Sequence, residues 1–235
     1  MTASAAIELD HVTIRREGRV VVEDACLEIN PATIHVVIGP NGAGKSTLLS
    51  AVLGQTAFAG TIELRFRGNG LVGYVPQSFV ADRTLPVTIA EFLALARQKL
   101  PVCLGVRPAA RARIAEILAR VGLAGMEHRR LGELSGGELR RVLIGNAIEP
   151  APELLLCDEP ATGLDPDAIA ELDRVLCGLR DDHGTTVLMV SHDRAQVRRI
   201  ANRVTYLHVQ IKDTGPPAKV LERAGAASLD EAMGL

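Results

Sequence analysis

The sequence is poor in aromatic residues and has almost no net charge. It contains no tryptophan, two tyrosines and four phenylalanines in 235 residues, and its first aromatic residue is Phe58. Its 26 lysines and arginines face 28 aspartates and glutamates, which gives a formal net charge of −2. A near-neutral chain is not a general polyanion binder, so we expect no nucleic-acid partner and only local recognition of phosphate.

Cysteine and histidine show no spacing that is typical of a metal site. The four cysteines are far apart and form no CxxC pair; they are Cys26, Cys103, Cys157 and Cys177. We interpret them as small, buried apolar residues of a protein in a reducing cytosol. The six histidines form no close pair with ligand spacing, so the sequence indicates no structural zinc site.

Long hydrophobic runs are also missing. The longest ones, such as Leu154–Cys157 and Thr186–Val190, have the length of a strand, whereas a membrane-spanning helix needs roughly 20 apolar residues. The first six residues lack the basic patch and apolar stretch of a signal peptide. We therefore expect a soluble chain, which would have to dock onto a membrane partner to serve a membrane process.

Short apolar runs alternate with segments of helical periodicity along most of the chain. Ile34–Ile38 is almost entirely apolar, as in a strand buried on both faces, and a helical segment begins at Ser46. Further buried strands are predicted at Leu154–Cys157 and Thr185–Val190, with helices at Ala168–Leu179 and Arg194–Asn202. This alternation predicts an α/β fold with a mostly parallel sheet.

We predict one domain over residues 1–235, with a helical lobe inserted into it. The nucleotide-binding core and its β subdomain would comprise residues 1–82 and 135–215. Helical spacing from Ile89 to about Lys99 and over Arg107–Val121 places the lobe at residues 83–134. We assign no function to the tail, residues 216–235.

A glycine-rich loop follows the first buried strand directly. It matches the P-loop pattern GxxxxGK[ST] with the residues Gly39, Pro40, Asn41, Gly42, Ala43, Gly44, Lys45, Ser46 and Thr47. In such a loop, backbone N–H groups surround the phosphates, and the next helix points its positive N-terminus at the same anion. We expect Lys45 to reach the β- and γ-phosphates of ATP, and the Ser46 hydroxyl to ligate Mg²⁺. The strand–loop–helix context favours this interpretation over a structural glycine turn.

Two adjacent carboxylates end the strand at Leu154–Cys157. Parallel sheets place ligands at the carboxyl ends of their strands, where Asp158 and Glu159 would lie. We expect Asp158 to hold the Mg²⁺ and Glu159 to polarise the attacking water as a general base. Alone, such a pair would equally suit a helix N-cap, but the P-loop makes the catalytic interpretation the better one.

A third motif, Leu134-Ser135-Gly136-Gly137-Glu138, opens a helix. A serine followed three residues later by a glutamate forms a capping box, which explains the motif as local structure. Two glycines at a helix N-terminus also make an anion site. We therefore list Ser135, Gly136, Gly137 and Glu138 as nucleotide contacts, and we call Ser135–Glu138 the signature segment.

The ordered set of motifs resembles the ATPase subunits of ABC transporters over residues 7 to about 212. This resemblance implies a P-loop NTPase core of the RecA-like type, an N-terminal antiparallel β subdomain and the inserted helical lobe. It also implies a head-to-tail homodimer with ATP gripped between the P-loop of one copy and the signature segment of the other. By position, Gln77 would touch Mg²⁺ or the attacking water, Asp165 would cross the interface, and His192 would contact the γ-phosphate. Without the flanking motifs, we would interpret Gln77 as a solvated residue of a turn. We would likewise interpret His192 as a hydrogen-bonding cap.

Two positions depart from the family pattern. The aromatic residue that usually stacks on adenine is replaced by Arg16, or by Arg15, whose guanidinium plane makes a chemically different contact. We expect the loss of the Arg16 side chain to weaken nucleotide binding. After the signature segment, Gly145-Asn146-Ala147 stands where the family commonly has Ala-Arg-Ala, which removes the usual arginine contact.

The segment from Gly73 to Ile89 resembles the ATPases of zinc and manganese importers. This implies transport of a divalent metal ion, a membrane permease, an extracytoplasmic metal-binding protein, and a position on the cytoplasmic face of the membrane. Phe79, Leu85, Val87 and Phe92 could receive a coupling helix of the permease, or they could belong to the core of the lobe. An ABC exporter, or an importer of another small solute, is the alternative function.

Other classes of P-loop protein agree less well with the sequence. Each ATP motif occurs once, whereas non-transport ABC proteins such as translation factors usually carry two ATPase units in one chain. The insertion between the motifs is too short for the coiled coil of a chromosome or repair ATPase. Intact Lys45, Asp158, Glu159 and His192 argue against a purely structural subunit.

Overall fold

The computed structural model describes residues 6–79 and 86–224. The strands are β1 (Ile7–Arg16), β2 (Arg19–Ile29), β3 (Ile34–Ile38), β4 (Phe58–Leu64), β5 (Val72–Val75), β6 (Leu154–Asp158), β7 (Thr186–Val190), β8 (Arg203–His208) and β9 (Gln210–Gly215). The helices are α1 (Lys45–Val52), α2 (Ile89–Ala94), α3 (Pro108–Arg120), α4 (Gly136–Ile148), α5 (Pro166–His183) and α6 (Arg194–Ile200). Residues 217–224 are also helical.

A six-stranded sheet forms the centre of the molecule, in the strand order β5-β6-β7-β3-β8-β9. All neighbouring strands in it are parallel except β8 and β9, which form an antiparallel pair. Every residue of β3, β6 and β7 is buried, because helices cover one face of the sheet, and α1 with the antiparallel sheet covers the other. The predicted α/β fold with a mostly parallel sheet is confirmed.

An antiparallel sheet in the order β2-β1-β4 forms a second layer. Its buried side chains, among them Ile7, Leu9 and Ile14, share one apolar cluster with Leu48 and Leu49 of α1. The β subdomain therefore packs on the helix that follows the P-loop, and this contact holds the β1–β2 hairpin beside the nucleotide-binding loop.

The helices of the predicted lobe share a core with the central sheet. Leu93 of α2 and Ile114 of α3 belong to the same buried cluster as Val142 of α4 and Leu155 of β6. The helix that begins with the signature segment therefore packs against both the lobe and the sheet.

Two element boundaries differ from the sequence-based expectation. The helix predicted to run to about Lys99 ends at Ala94, because the chain turns there and sends the Arg97 guanidinium toward the end of α4. Residues at the start of the expected tail are part of the core, since Val220 and Leu221 are buried against the central cluster. Residues 225–235 of that tail lie outside the described part of the chain.

Two of the four cysteines contradict the expectation of burial. Cys157 is buried and Cys177 is half-buried, whereas Cys26 and Cys103 are exposed. Cys26 alternates with the buried residues Ala25 and Leu27 on β2, so its side chain faces outward. Within residues 6–79 and 86–224, no helix combines the length and the apolar character needed to cross a membrane.

Candidate active site

The P-loop begins at the carboxyl end of β3, in the middle of the central sheet. A methyl group added to Gly39 would lie 2.0 Å from the Leu207 carbonyl oxygen, and one added to Gly44 would lie 2.3 Å from that of Val21. Both glycines also have a positive φ, 153° and 92° respectively. Only glycine tolerates such contacts and angles together, so the backbone of β2 and β8 fixes the path of the loop.

Lys45 is the first residue of α1 and is buried. Its Nζ donates to the carbonyl oxygens of Gly39 and Pro40, at 2.9 and 2.8 Å. Burial lowers the pKa of this lysine, and the carboxylates of Glu159 and Asp158 oppose that shift. The ammonium group therefore lies inside the loop, at the place where a phosphate chain needs a cation.

Ser46 and Asp158 join the P-loop to the end of β6. The Ser46 hydroxyl donates to Oδ1 of Asp158 over 3.0 Å. Burial raises the pKa of Asp158, and the hydrogen bond from Ser46 acts in the opposite direction. A hydroxyl and a carboxylate held this close are hard oxygen ligands, so these two residues fit the Mg²⁺ that accompanies a nucleotide.

Glu159 follows β6 with a positive φ of 49°, an unusual backbone angle for this residue type. Its N–H donates to the carbonyl oxygen of Val190 over 3.0 Å, which ties it to the end of β7. The carboxylate lies 3.5 Å from Nδ1 of His192 and accepts a hydrogen bond from the Thr162 hydroxyl over 3.3 Å. The strand ends thus bring Glu159 and His192 together, and a left-handed backbone at such a position is typical of functional sites.

A buried arginine that the sequence analysis did not select connects three parts of the site. Arg140, on α4, donates to the backbone carbonyl oxygens of Pro76, Gln77 (2.8 Å) and Glu159 (2.9 Å). It lies in the first turns of the helix that begins with the signature segment. Arg140 therefore joins the backbone of the Gln77 segment to that of Glu159, the residue proposed to activate water.

The signature segment caps α4 as predicted. The Ser135 hydroxyl accepts from the N–H of Glu138, and the Glu138 carboxylate accepts from the backbone N–H of Ser135 over 2.7 Å, which closes a capping box. The Ser135 hydroxyl also donates to this carboxylate. Arg129 adds an ion pair with Glu138 at 2.8 Å. The pKa of Glu138 is lowered, first by the backbone N–H of Ser135 and then by its hydroxyl. Ser135 and Gly136 remain exposed, so this helix end is available to an anion from outside the subunit.

Asp165 lies close to the signature segment rather than to the P-loop. It caps α5 by accepting from the N–H of Ala168 over 2.9 Å. Together with Gln77 and the signature segment, it lines an open cleft of about 600 Å³. This cleft does not include Lys45, Ser46 or Asp158, which all lie in the described part of the chain. The predicted nucleotide contacts thus form two separate surfaces of one subunit.

Gln77 and Arg16 both lie on the surface of the described chain. The backbone carbonyl of Gln77 is held by Arg140, and the residue itself is exposed. Arg16 ends β1 opposite Arg19 at the tip of the β1–β2 hairpin and is also exposed. Because β2 of the same hairpin touches the backbone at Gly44, the tip lies on the P-loop side of the molecule.

Asn146, which stands at the position of the usual family arginine, is bonded to Arg97. Arg97 donates to the side-chain oxygen of Asn146 over 2.9 Å and to the carbonyl oxygens of Asn146 and Glu149 at the end of α4. Arg97 and Arg140 belong to no short motif, because they bond to residues that are distant in the chain. Thr162 belongs to none either, although it bonds to Glu159 only three residues away. Arg140 alone gave a signal, namely a charge on the buried side of a helix.

Residues 22–162 match the ABC transporter family. The chain belongs to the ABC transporter family. It is an ATP-binding subunit that hydrolyses ATP, and the P-loop, Asp158 and the signature segment of the ABC ATPase all fall within the matched residues.

Three relatives of this ABC ATPase carry the name zinc import ATP-binding protein ZnuC. The protein of Cereibacter sphaeroides is 40% identical over 91% of this chain and 84% of its own length. A protein of Hahella chejuensis is 40% identical over 94% of this chain and 81% of its own. A Pseudomonas aeruginosa protein is 39% identical over 92% of this chain and 77% of its own. The similarity therefore covers nearly the whole chain.

Two solved structures show the same fold as the ABC ATPase. One, the ATP-binding subunit of an ABC transporter, superposes with a TM-score of 0.78 at 26% identity and covers 94% of this chain and 93% of that one. The other is a dimeric ATP-binding cassette in a post-hydrolysis state with bound ADP and Pi. It has a TM-score of 0.77 at 24% identity and covers 90% of this chain and 98% of that one.

Proposed function

We propose that this ATPase powers the import of zinc as one half of a homodimer docked beneath a membrane permease. The observation that carries the proposal is the identity of about 40% with zinc import ATP-binding proteins over nearly the whole chain. The intact catalytic set supports an active rather than a structural subunit. An extracytoplasmic metal-binding protein would deliver the ion, and the ATPase would lie on the cytoplasmic face of the membrane.

The residues of the site divide into roles that suit phosphoryl transfer to water. Lys45 and the P-loop backbone hold the phosphates, and Glu159 accepts the proton of the water that attacks the γ-phosphorus atom. His192 donates toward the γ-phosphate, where negative charge develops. Ser46 and Asp158 would hold Mg²⁺, whereas Gln77 lines the cleft beside the signature segment. The ion supplies charge neutralisation on the phosphate oxygens when it is bound.

The separation of the two nucleotide surfaces supports a dimer. The cleft beside the signature segment does not include Lys45, Ser46 or Asp158, which form the P-loop surface. A second copy in head-to-tail orientation would place its signature segment and Asp165 against the ATP held by the first. The dimeric cassette with ADP and Pi has the same fold as this chain, which is consistent with such a pairing.

A pair of phenylalanines supports docking of a permease on the lobe side. The rings of Phe79 and Phe92 lie 6.2 Å apart, and Phe79 is 42% exposed. Val87 and Phe92 are half-buried and pack against the central apolar cluster, so these two residues belong to the core and Phe79 is the exposed one. Leu85, the other residue that we expect to line this groove, lies outside the described residues. An exposed aromatic next to Gln77 suits a contact that senses the permease.

The proposal can be tested in the source organism by replacing the native gene with Glu159→Gln. We expect this variant to abolish uptake of radioactive zinc and to stop growth under zinc chelation, with rescue by added zinc. Glu116→Gln, on the exposed face of α3, is the matched control and should behave as wild type.

Other outcomes identify the alternatives. Normal growth and uptake under zinc chelation would exclude zinc import. A defect confined to manganese limitation would indicate manganese as the cargo. If the Glu159→Gln strain takes up zinc normally but becomes sensitive to an excess of a solute, the result would indicate an exporter of that solute.

A further inference from the structure

The outer face of the antiparallel sheet carries three side chains of residue types that can bind metals, two on β1 and one on β2. Asp10, His11 and Cys26 each offer one ligand atom, and these three atoms lie within 4.8 Å of one another. All three residues are exposed. No ligand spacing is visible in the sequence, because Cys26 is 15 residues away from His11 in the chain. The pairing of β1 with β2 brings the two residues together.

Two facing irregularities of the strands create this arrangement. Neighbouring residues of a regular strand point to opposite faces, yet Asp10 and His11 are both exposed, because the register of β1 against β2 shifts between Leu9 and Val12. His11 and, across from it, Asp24 adopt positive φ angles of 50° and 48°. Backbone conformations of this kind cost free energy and are typical of positions with a function.

The histidine ring is oriented as in many protein metal sites. Its Nδ1 lies 2.6 Å from Oδ1 of Asp24, and its Nε2 lies 3.9 Å from Oδ1 of Asp10. A carboxylate that holds one ring nitrogen leaves the other to bind a metal and makes it a stronger ligand.

The sulfur completes a set that suits a borderline-soft metal. The backbone N–H of His11 donates to Sγ of Cys26 over 3.4 Å, which holds the sulfur at the bulge. Thiolate, imidazole and carboxylate together suit Zn²⁺ and similar transition metals, whereas Mg²⁺ takes oxygen ligands. We propose that Asp10, His11 and Cys26 bind a divalent transition-metal ion, with Asp24 orienting the histidine and water as the remaining ligand. This site is separate from the ATP site and does not depend on zinc import.

Binding can be tested with the purified full chain, kept reduced and in excess Mg²⁺ so that oxygen sites are filled by the hard cation. Titration with Co²⁺ should give a thiolate-to-metal charge-transfer band that saturates at one equivalent. Zn²⁺ should bleach this band, and competition with a chromogenic chelator measures its affinity. The variants are Cys26→Ser and His11→Asn, since asparagine tolerates the left-handed backbone. The matched controls are Cys103→Ser and His128→Asn, at exposed positions elsewhere.

We expect Cys26→Ser to lose the band and Zn²⁺ affinity to fall by more than tenfold in both site variants. Asp24→Asn should keep the band but weaken Zn²⁺ binding about tenfold or more, as for other partners of a ligating histidine. Both controls should match wild type. The proposal is wrong if wild type shows no band, or if the site variants bind Zn²⁺ as tightly as the controls. Circular dichroism melting checks that each variant is folded.

Discussion

At the scale of single residues, Arg140 shows how one side chain can organise a site without touching the reacting atoms. Its guanidinium group holds three backbone carbonyls that belong to the Gln77 segment and to Glu159. Hydrogen bonds from a charged group are each worth about 1.5–3 kcal/mol, and buried carbonyls that lose their donor are costly. Arg140 is therefore a positioning residue, and its removal should affect both folding and catalysis.

We expect Arg140→Ala to lower the free energy of unfolding by about 2–3 kcal/mol and kcat for ATP hydrolysis by about tenfold or more. The KM for ATP should change little, because Arg140 bonds to none of the P-loop carbonyls. Arg140→Lys should recover part of kcat, since one ammonium can still reach some of the carbonyls. Urea unfolding and steady-state ATPase assays measure these effects. Arg111→Ala, on the exposed face of α3, is the control, and an equal effect there would contradict the assignment.

His35 is a buried histidine that should make stability depend on pH. Its Nε2 is 2.8 Å from the Thr205 hydroxyl oxygen, and its Nδ1 has no hydrogen-bond partner among the described residues. Burial, with a smaller contribution from the charge of Arg203, lowers the pKa of His35 to about 4 from its usual 6.5. The unfolded chain therefore binds more protons between these two values. The stabilisation is fully present above pH 6.5 and is lost as the pH falls toward 4.

At pH 5 this difference amounts to about 2 kcal/mol. We expect wild type to lose about that much more stability between pH 7 and pH 5 than His35→Gln does, as measured by urea unfolding at both values. Other titrating groups contribute equally to the two proteins and cancel in the comparison. An identical pH dependence of wild type and variant would show that His35 is not buried in the neutral form.

Arg16 is the residue that we expect to replace an adenine-stacking aromatic. Its planar guanidinium group can lie on a purine face, and such a cation–π contact is worth about 0.5–2 kcal/mol. Arg16→Ala should therefore weaken ATP binding several-fold or more, and Arg16→Tyr should keep it. Titration calorimetry with a non-hydrolysable ATP analogue measures this. Unchanged affinity in Arg16→Ala would remove the residue from the site.

At the scale of elements, the contact of α3 with α4 depends on the glycine in Gly145-Asn146-Ala147. A methyl group added at Gly145 would lie 2.7 Å from Cγ2 of Ile117, a stiff, buried side chain. Gly178, in the middle of α5, has no neighbour closer than 3.6 Å to such a methyl group. The two positions offer the same gain in helix propensity but different packing.

We expect Gly178→Ala to stabilise the protein by about 0.5–1 kcal/mol through reduced backbone entropy of the unfolded chain. Gly145→Ala should instead destabilise it, since overpacking costs about 1–3 kcal/mol. Thermal and urea unfolding of the two variants provide the measurement. A similar stabilisation in both proteins would mean that α3 and α4 lie farther apart than described.

At the scale of the whole molecule, the separation of the two nucleotide surfaces predicts association that depends on ATP. We expect Glu159→Gln to bind ATP without hydrolysing it and to elute as a dimer with ATP and Mg²⁺ in size-exclusion chromatography. Lys45→Ala should remain monomeric under the same conditions, because its phosphate contacts are weakened. Ser135→Arg should also remain monomeric while still binding ATP, since its own P-loop is intact. A Glu159→Gln protein that stays monomeric with ATP would contradict the head-to-tail arrangement.

Much of the site could be predicted because its motifs are local in sequence. The P-loop, the carboxylate pair after β6 and the capping box of the signature segment all follow from short patterns with strict backbone requirements. The roles of Arg140 and Arg97 could not be predicted, because the bonds that join them to other segments reach residues 19 to 64 positions away. No short pattern records such a contact. The prediction that this helix runs to about Lys99 was wrong, because the chain beyond Ala94 is held by bonds of Arg97 to Asn146 on α4, which is distant in sequence.

The sequence by itself determined the α/β class, the ATP chemistry and the positions of the three central strands β3, β6 and β7. It did so because buried parallel strands need apolar runs, and phosphate binding needs glycines and a lysine in fixed order. Only the tertiary structure decided which side chains from distant segments meet. It joined Asp158 to Ser46, kept the signature segment apart from the P-loop, and set Cys26 beside His11 at paired bulges. Contacts between side chains of distant segments depend on strand register and twist, which no single stretch of sequence specifies.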